Sequence, residues 1–159
     1  MTRPSRLRER RRPVLGGLLA LGLYAPVQAS EPGGLVNQGA ALFHGLSPLQ
    51  GRIAGHSGWL PPATLVCANC HAAPAGRSFE PGRAARPLGR TELLQPRVRR
   101  TGPPSSYTEQ SLCEALRAGI DPAHVTLQRA MPRYQLSAVE CRALWAFLTR
   151  PGVSVNTLP

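Results

Sequence analysis

The sequence predicts an all-α fold made of short helices. Three segments, residues 35–45, 107–121 and 137–149, place apolar side chains three or four positions apart, which is the spacing of one helix face. Residues 72–106 are instead rich in Pro, Gly and Arg and show almost no periodic apolar pattern. The length of 159 residues fits one modest domain behind an N-terminal targeting segment.

The N-terminal segment predicts export. Six arginines precede an apolar stretch over residues 14–25, which is shorter than the ~20 residues that cross a bilayer as a helix. Residues 27–29 (VQA) then supply the small residues that signal peptidase accepts. We therefore expect residues 1–29 to be a secretory signal and residues 30–159 to form a periplasmic domain. The alternative is an uncleaved segment that anchors the protein to the membrane.

The chain remains basic without the predicted signal. It contains arginines but no lysine, and residues 30–159 carry thirteen arginines against seven acidic residues, a net charge of +6. Such a surface favours an acidic protein partner or peripheral contact with an anionic membrane. The alternative is a solvated surface without a partner. Because the N-terminal arginine run directly precedes the apolar stretch, it indicates targeting and not nucleic-acid binding.

The most informative motif is CANCH at residues 67–71. A zinc site would need a second close pair of ligands, but His44, His56 and His124 are scattered. A thioredoxin-like site would need a βαβ context, which the Pro-, Gly- and Ala-rich flanks do not provide. An iron–sulfur cluster would need its cysteines in a closer arrangement. Covalent attachment of haem is the chemistry that remains.

Haem attachment also agrees with the spacing inside the motif. Two thiols separated by two residues can add to the two vinyl groups of haem from one helical turn, and the adjacent histidine can ligate the iron. Export agrees as well, because c-type haem is attached outside the cytoplasm. We predict one haem c per chain, bound through Cys67 and Cys70, with His71 as an iron ligand.

Met131 is the candidate for the second iron ligand. Apart from the initiator it is the only methionine, and it lies 60 residues after His71, far enough for the chain to pass round the macrocycle. Pro132 follows and discourages a helix, so that the side chain can point inward from a loop. The rival ligand is His124.

These motifs together resemble those of class I c-type cytochromes. The resemblance runs from about residue 37 to 149 and is carried by CANCH, by Pro-Leu at 87–88, by MPRY at 131–134 and by ALWAFL near the C-terminus. It implies a cytochrome c fold, in which short helices surround one covalently bound haem and the N- and C-terminal helices cross. It also implies the transfer of single electrons, with His71 and Met131 as axial ligands.

The resemblance also suggests roles for residues around the haem and the helix crossing. A glycine at the crossing, here Gly39, would let the two backbones approach, with Phe43 and Phe147 beside it. In this family a proline carbonyl usually orients the iron-ligating histidine, and here the matching position is Arg86 or Pro87.

Cys113 and Cys141 lie outside the haem motif, on two predicted helices that the family places close together. Since the compartment is oxidising, we predict a disulfide between them. The alternative is two separate buried thiols. The arginines between residues 83 and 100 are candidates for pairing with haem propionates or with a partner, although each one alone fits a solvated surface.

The predicted function is electron transfer between redox protein partners. No nucleophile–base–acid constellation, phosphate loop or paired acidic cluster predicts an enzyme, and no small-molecule substrate is expected. Two alternatives remain. The first is an electron-transfer subunit inside a dehydrogenase or oxidase complex. The second is a haem enzyme or gas sensor whose sixth coordination site is open.

Overall fold

The structure, a computed structural model, describes residues 32–72, 85–86, 88–99 and 101–152. The predicted signal, residues 1–29, lies outside these ranges. Within them the chain forms five α-helices, and a single turn of 3-10 helix covers Pro62–Thr64. The α-helices are α1 (Pro32–Phe43), α2 (Ala68–His71), α3 (Arg90–Leu94), α4 (Glu109–Arg117) and α5 (Ala138–Thr149).

The longest helices, α1 and α5, pack directly against each other. A Cβ atom on Gly39 would overlap the carbonyl oxygen of Ala143, so the two backbones touch at this glycine. Phe43 and Phe147 are buried beside the contact, with ring centroids 5.5 Å apart. The expected crossing, with its glycine and its two aromatic side chains, is confirmed.

The mostly helical character is confirmed, but the description as all-α is too narrow. Two antiparallel pairs of very short strands are present: β1 (Gly51–Arg52) with β4 (Arg133–Tyr134), and β2 (Arg97–Val98) with β3 (Pro104–Ser105). Each strand has only two residues, too few to produce the alternation that reveals a strand in a sequence. The pairing of β1 with β4 also joins segments that are remote along the chain.

Local capping determines where α4 and α5 begin. At α5, the Ser137 side chain accepts from the backbone N–H of Glu140, and the Glu140 carboxylate accepts from the Ser137 N–H at 2.7 Å. Thr108 caps α4 in the same reciprocal way, with Ser111 as its partner. Both helix starts therefore depend only on residues three positions apart in the sequence.

The predicted disulfide is confirmed, since Cys113 of α4 is bonded to Cys141 of α5. The two Cα atoms lie 5.3 Å apart, within the range that a disulfide spans. An exposed ion pair between Glu109 and Arg142 joins the same two helices at 3.6 Å. The bond leaves Cys67 and Cys70 as free thiols.

We predict that Gly39→Ala lowers the free energy of unfolding by about 1–3 kcal/mol, because the added methyl group overpacks the crossing. Gly34→Ala is the matched control: it lies on the same helix with no neighbouring atom within 4 Å of the new methyl. The control should leave stability unchanged or raise it by up to about 1 kcal/mol through helix propensity. Urea denaturation measures the free energy of unfolding of both variants. Equal changes in the two variants would show that the crossing is not tightly packed.

Candidate functional site

The CANCH segment forms a single helical turn. Cys67 has helical backbone angles and stands at the N-terminal boundary of α2, and its carbonyl accepts from the N–H of His71 at 2.9 Å and of Cys70 at 3.2 Å. One turn therefore presents both thiols and the imidazole, as the spacing predicted.

The two thiols of this turn differ in exposure. Cys67 is buried and Cys70 is half-buried. Burial raises the pKa of the Cys67 thiol to about 11, and a hydrogen bond with the Tyr134 side chain acts in the opposite direction. Burial also raises the pKa of Cys70. Both sulfurs therefore remain protonated thiols at neutral pH.

The orientation of His71 is fixed by a backbone carbonyl. Its Nδ1 lies 2.7 Å from the carbonyl oxygen of Arg86, so Nδ1–H donates and the second ring nitrogen, Nε2, keeps its lone pair. Burial lowers the pKa of His71, although the Arg86 carbonyl opposes this shift, and the neutral imidazole is favoured. Of the two carbonyls that the sequence left open, the structure selects Arg86; Pro87 lies outside the described residues.

Met131 ends a closed loop that begins at the C-terminus of α4. Its side chain is half-buried and packs against the hydrophobic core that also contains Cys67. The Leu127 N–H donates to the Gly119 carbonyl at 2.7 Å, and Ile120 pairs with Thr126 across the loop. Met131 therefore belongs to a segment with internal hydrogen bonds, in the non-helical backbone that Pro132 predicted.

Asp121 organises the first part of this loop. It is buried, and its Oδ1 accepts from the backbone N–H groups of Ala123 at 2.9 Å and Val125 at 2.8 Å. The Asp121 N–H in turn donates to the Val125 carbonyl at 3.0 Å. One carboxylate thus satisfies two backbone donors that the tight turn would otherwise leave unpaired.

Arg133 organises the part of the loop next to Met131. Its guanidinium donates to the Met131 carbonyl and to the Leu127 carbonyl, the latter at 3.1 Å. Gly119, at a φ of +75°, makes room for it, because a Cβ there would overlap the guanidinium. No role was predicted for Arg133; MPRY, which places an arginine two residues after Met131, was the available signal.

Tyr134 is a second residue whose role the sequence did not predict. It is buried, and its hydroxyl donates to the Leu65 carbonyl at 3.3 Å, two residues before Cys67 in the chain. Burial, followed by the neighbouring Cys67, raises the pKa of Tyr134 and keeps the phenol neutral. Tyr134 thereby connects the segment after Met131 to the CANCH turn.

The other candidate ligands and contacts lie at the surface. His124, the rival for the second ligand position, is exposed in a tight turn with a φ of +59°. His56 is exposed in the loop before CANCH. The exposed position of His124 favours Met131 as the candidate second iron ligand, because of these two residues only Met131 packs against the core.

The arginines of the middle segment have internal partners. Arg97 pairs with the Glu92 carboxylate at 3.3 Å. The Arg99 guanidinium donates to the Glu92 carbonyl at 2.6 Å and stacks on Tyr107. Arg90 donates to the Thr149 carbonyl at 2.7 Å. These three arginines stabilise α3 and its surroundings, while Arg83 and Arg100 lie outside the described residues.

Two further properties concern metal-ligating side chains and helix length in the part of the chain that the structure describes. No group of three or more His, Cys, Asp or Glu side chains there is arranged to hold a metal ion, a description that a single His–Met pair would not meet. None of the helices described is long and apolar enough to cross a membrane.

Comparison of the chain with protein-family models, curated proteins and solved structures gives no match. Function is therefore inferred from the side chains of the CANCH turn themselves. Two unbridged thiols on one turn, and an imidazole whose Nε2 is unprotonated, fit a covalently attached haem.

We predict that Asp121→Ala lowers the free energy of unfolding by about 2–3 kcal/mol, because it leaves two backbone N–H groups without an acceptor. Asp121→Asn, which keeps one carbonyl oxygen in a side chain of the same shape, should lower the free energy of unfolding clearly less. Chemical denaturation of both variants provides the measurement. Equal losses would mean that the carboxylate contributes through its charge and not through these two bonds.

Proposed function

We propose that this protein is an exported monohaem c-type cytochrome that carries single electrons between redox protein partners. The hydrogen bond between His71 Nδ1 and the Arg86 carbonyl is the observation that supports this most directly. A histidine directly after C-x-x-C, with Nδ1 occupied and Nε2 available, has the tautomer that an iron ligand needs. The unbridged state of Cys67 and Cys70 supplies the two attachment points.

Each residue of the site has a separate task in this proposal. Cys67 and Cys70 would hold the haem covalently, and His71 and Met131 would ligate its iron. The bound haem supplies a one-electron couple at its iron. The Arg86 carbonyl keeps the imidazole in one orientation, and the loop from Gly119 to Met131 keeps the thioether in place.

The proposed overall architecture is the cytochrome c fold. The contact of α1 with α5 at Gly39, and the pairing of Phe43 with Phe147, support it. The carbonyl bonded to His71 lies 15 residues after it, between CANCH and α3, where the family resemblance places this acceptor. The two short strand pairs are additions to the helical framework and do not interrupt the crossing.

Export and two iron ligands from the protein define the proposed role. Because His71 and Met131 would both ligate the iron, no coordination site would be left for a substrate, and the haem would supply one-electron transfer and not catalysis on a small molecule. The residual positive charge of residues 30–159 suits redox partners with acidic surfaces.

We predict that acid–acetone extraction leaves the haem on the polypeptide, at one haem per chain in a pyridine haemochrome assay. Replacing Cys67 and Cys70 together by serine should abolish covalent attachment, because no thiol is then left to add to the vinyl groups. The control is the pair Cys113→Ser and Cys141→Ser, which should lower stability by about 3–4 kcal/mol but keep the haem bound. Release of free haem from the wild-type chain would refute the proposed function.

We also predict that the oxidised protein shows the weak far-red absorption band that reports a thioether bound to ferric haem iron. Met131→Ala should remove this band, since the chain has no other internal methionine. His124→Ala is the matched control and should retain it. If the wild type lacks the band, or if the band survives in Met131→Ala, the second ligand is not Met131.

A further inference from the structure

A groove of about 900 Å³ opens at the surface beside β1 and β4. The loop between Arg52 and Trp59 forms one wall, and the strand that follows Met131 forms the other. Residues from these walls and from the end of α4 line it, among them Arg52, His56, Trp59, Arg117, Arg133 and Tyr134.

The groove has a strongly positive lining. Arg52, Arg117 and Arg133 line it directly, and Arg129 reaches its rim at Gly55. None of the acidic residues that the structure describes is part of the lining.

An exposed tryptophan stands in the same wall. Trp59 is 58% exposed, and the guanidinium of Arg52 lies 5.7 Å from the centre of its ring. Exposed aromatic rings next to arginines are typical of protein–protein contact sites, where they provide large apolar area together with charge. Trp59 and Arg52 face solvent and offer both apolar area and positive charge.

Tyr134 connects this groove to the proposed haem site. One part of its side chain lines the groove, and its hydroxyl donates to the carbonyl of Leu65, two residues before Cys67 in the chain. Tyr134 therefore lies between the groove and the segment that leads into the CANCH turn.

We infer that this groove is the docking site for an acidic segment of the redox protein partner. The inference rests on the proposed function and adds the surface through which it operates. One electron crosses between the partner's redox centre and the haem iron, so one centre is oxidised and the other reduced by a single unit, with no proton or group transferred. Arg52 and Arg129 provide the rim charge, and Trp59 provides the apolar contact.

The arginine geometry favours a protein segment over a small anion. Arg117 uses Nε and Nη2 on the Leu136 carbonyl, at 3.0 and 2.6 Å, and Arg133 uses its guanidinium on loop carbonyls. These donors of the two arginines are thus committed to the backbone. Arg117 and Arg133 therefore do not offer them as a converging set of the kind that fixes a small anion.

The first test uses a hexaglutamate peptide and the haem-loaded, reduced protein labelled with ¹⁵N at tryptophan. The chain has two tryptophans: Trp59 in the groove and Trp145, half-buried on α5. We expect the indole signal of Trp59 to shift on titration while that of Trp145 stays in place. Equal movement of both signals, or movement of neither, would overturn the proposal. Inorganic phosphate producing the same shift at the same concentration would identify a small-anion site and overturn it too.

The second test compares two double variants that remove the same charge. Arg52→Gln with Arg129→Gln should weaken the affinity of the reduced, haem-loaded protein for the hexaglutamate peptide about fivefold at low salt, and the difference should disappear at high salt. Arg90→Gln with Arg142→Gln, on other surfaces, should weaken this affinity less than about twofold. Equal weakening would assign the effect to net charge and overturn the docking site.

The proposed function and the docking groove are refuted by different results. An exported chain without covalent haem refutes the proposed function. An unchanged Trp59 signal in a haem-loaded protein refutes only the groove. Retention of the far-red band in the arginine variants verifies that Met131 ligation is intact in the compared proteins.

Discussion

The backbone contact between Gly39 and Ala143 holds the rest of the structure together. It fixes α5 against α1, and α5 in turn holds α4 through the Cys113–Cys141 bond. The loop to Met131 begins just after α4, which ends at Arg117. The position of Met131 therefore depends on the crossing through one covalent and one close-packed contact. A side chain at this single glycine would separate the two helices on which all of this depends.

The two proposed iron ligands are held in physically different ways. His71 lies within a hydrogen-bonded helical turn and is oriented by one carbonyl, that of Arg86. Met131 lies in irregular backbone, where the buried carboxylate of Asp121 and the guanidinium of Arg133 provide the partners that a helix would have provided internally. Irregular backbone of this kind is stable only if its polar groups are satisfied, and here charged side chains satisfy them.

The sequence predicted those features that depend on neighbours along the chain. The helical segments 107–121 and 137–149 were predicted from the spacing of their apolar residues, and the crossing and the disulfide were predicted from the family resemblance. The strand pairs and the carbonyl contacts of Arg133 were not predicted, because they join backbone groups whose proximity arises only after folding. Export, haem attachment and Met131 ligation remain predictions that rest on motif chemistry.

The disulfide also has a consequence for the order in which the protein matures. Of all the single bridges that its four cysteines could form, only the one between Cys113 and Cys141 leaves both sulfurs of the CANCH turn reduced. A bridge formed at Cys67 or Cys70 would instead consume a sulfur that the proposed haem attachment needs. In the oxidising compartment that we propose, incorrect pairing and cofactor loading would therefore compete for the two sulfurs of the CANCH turn, and the burial of Cys67 would protect one of them.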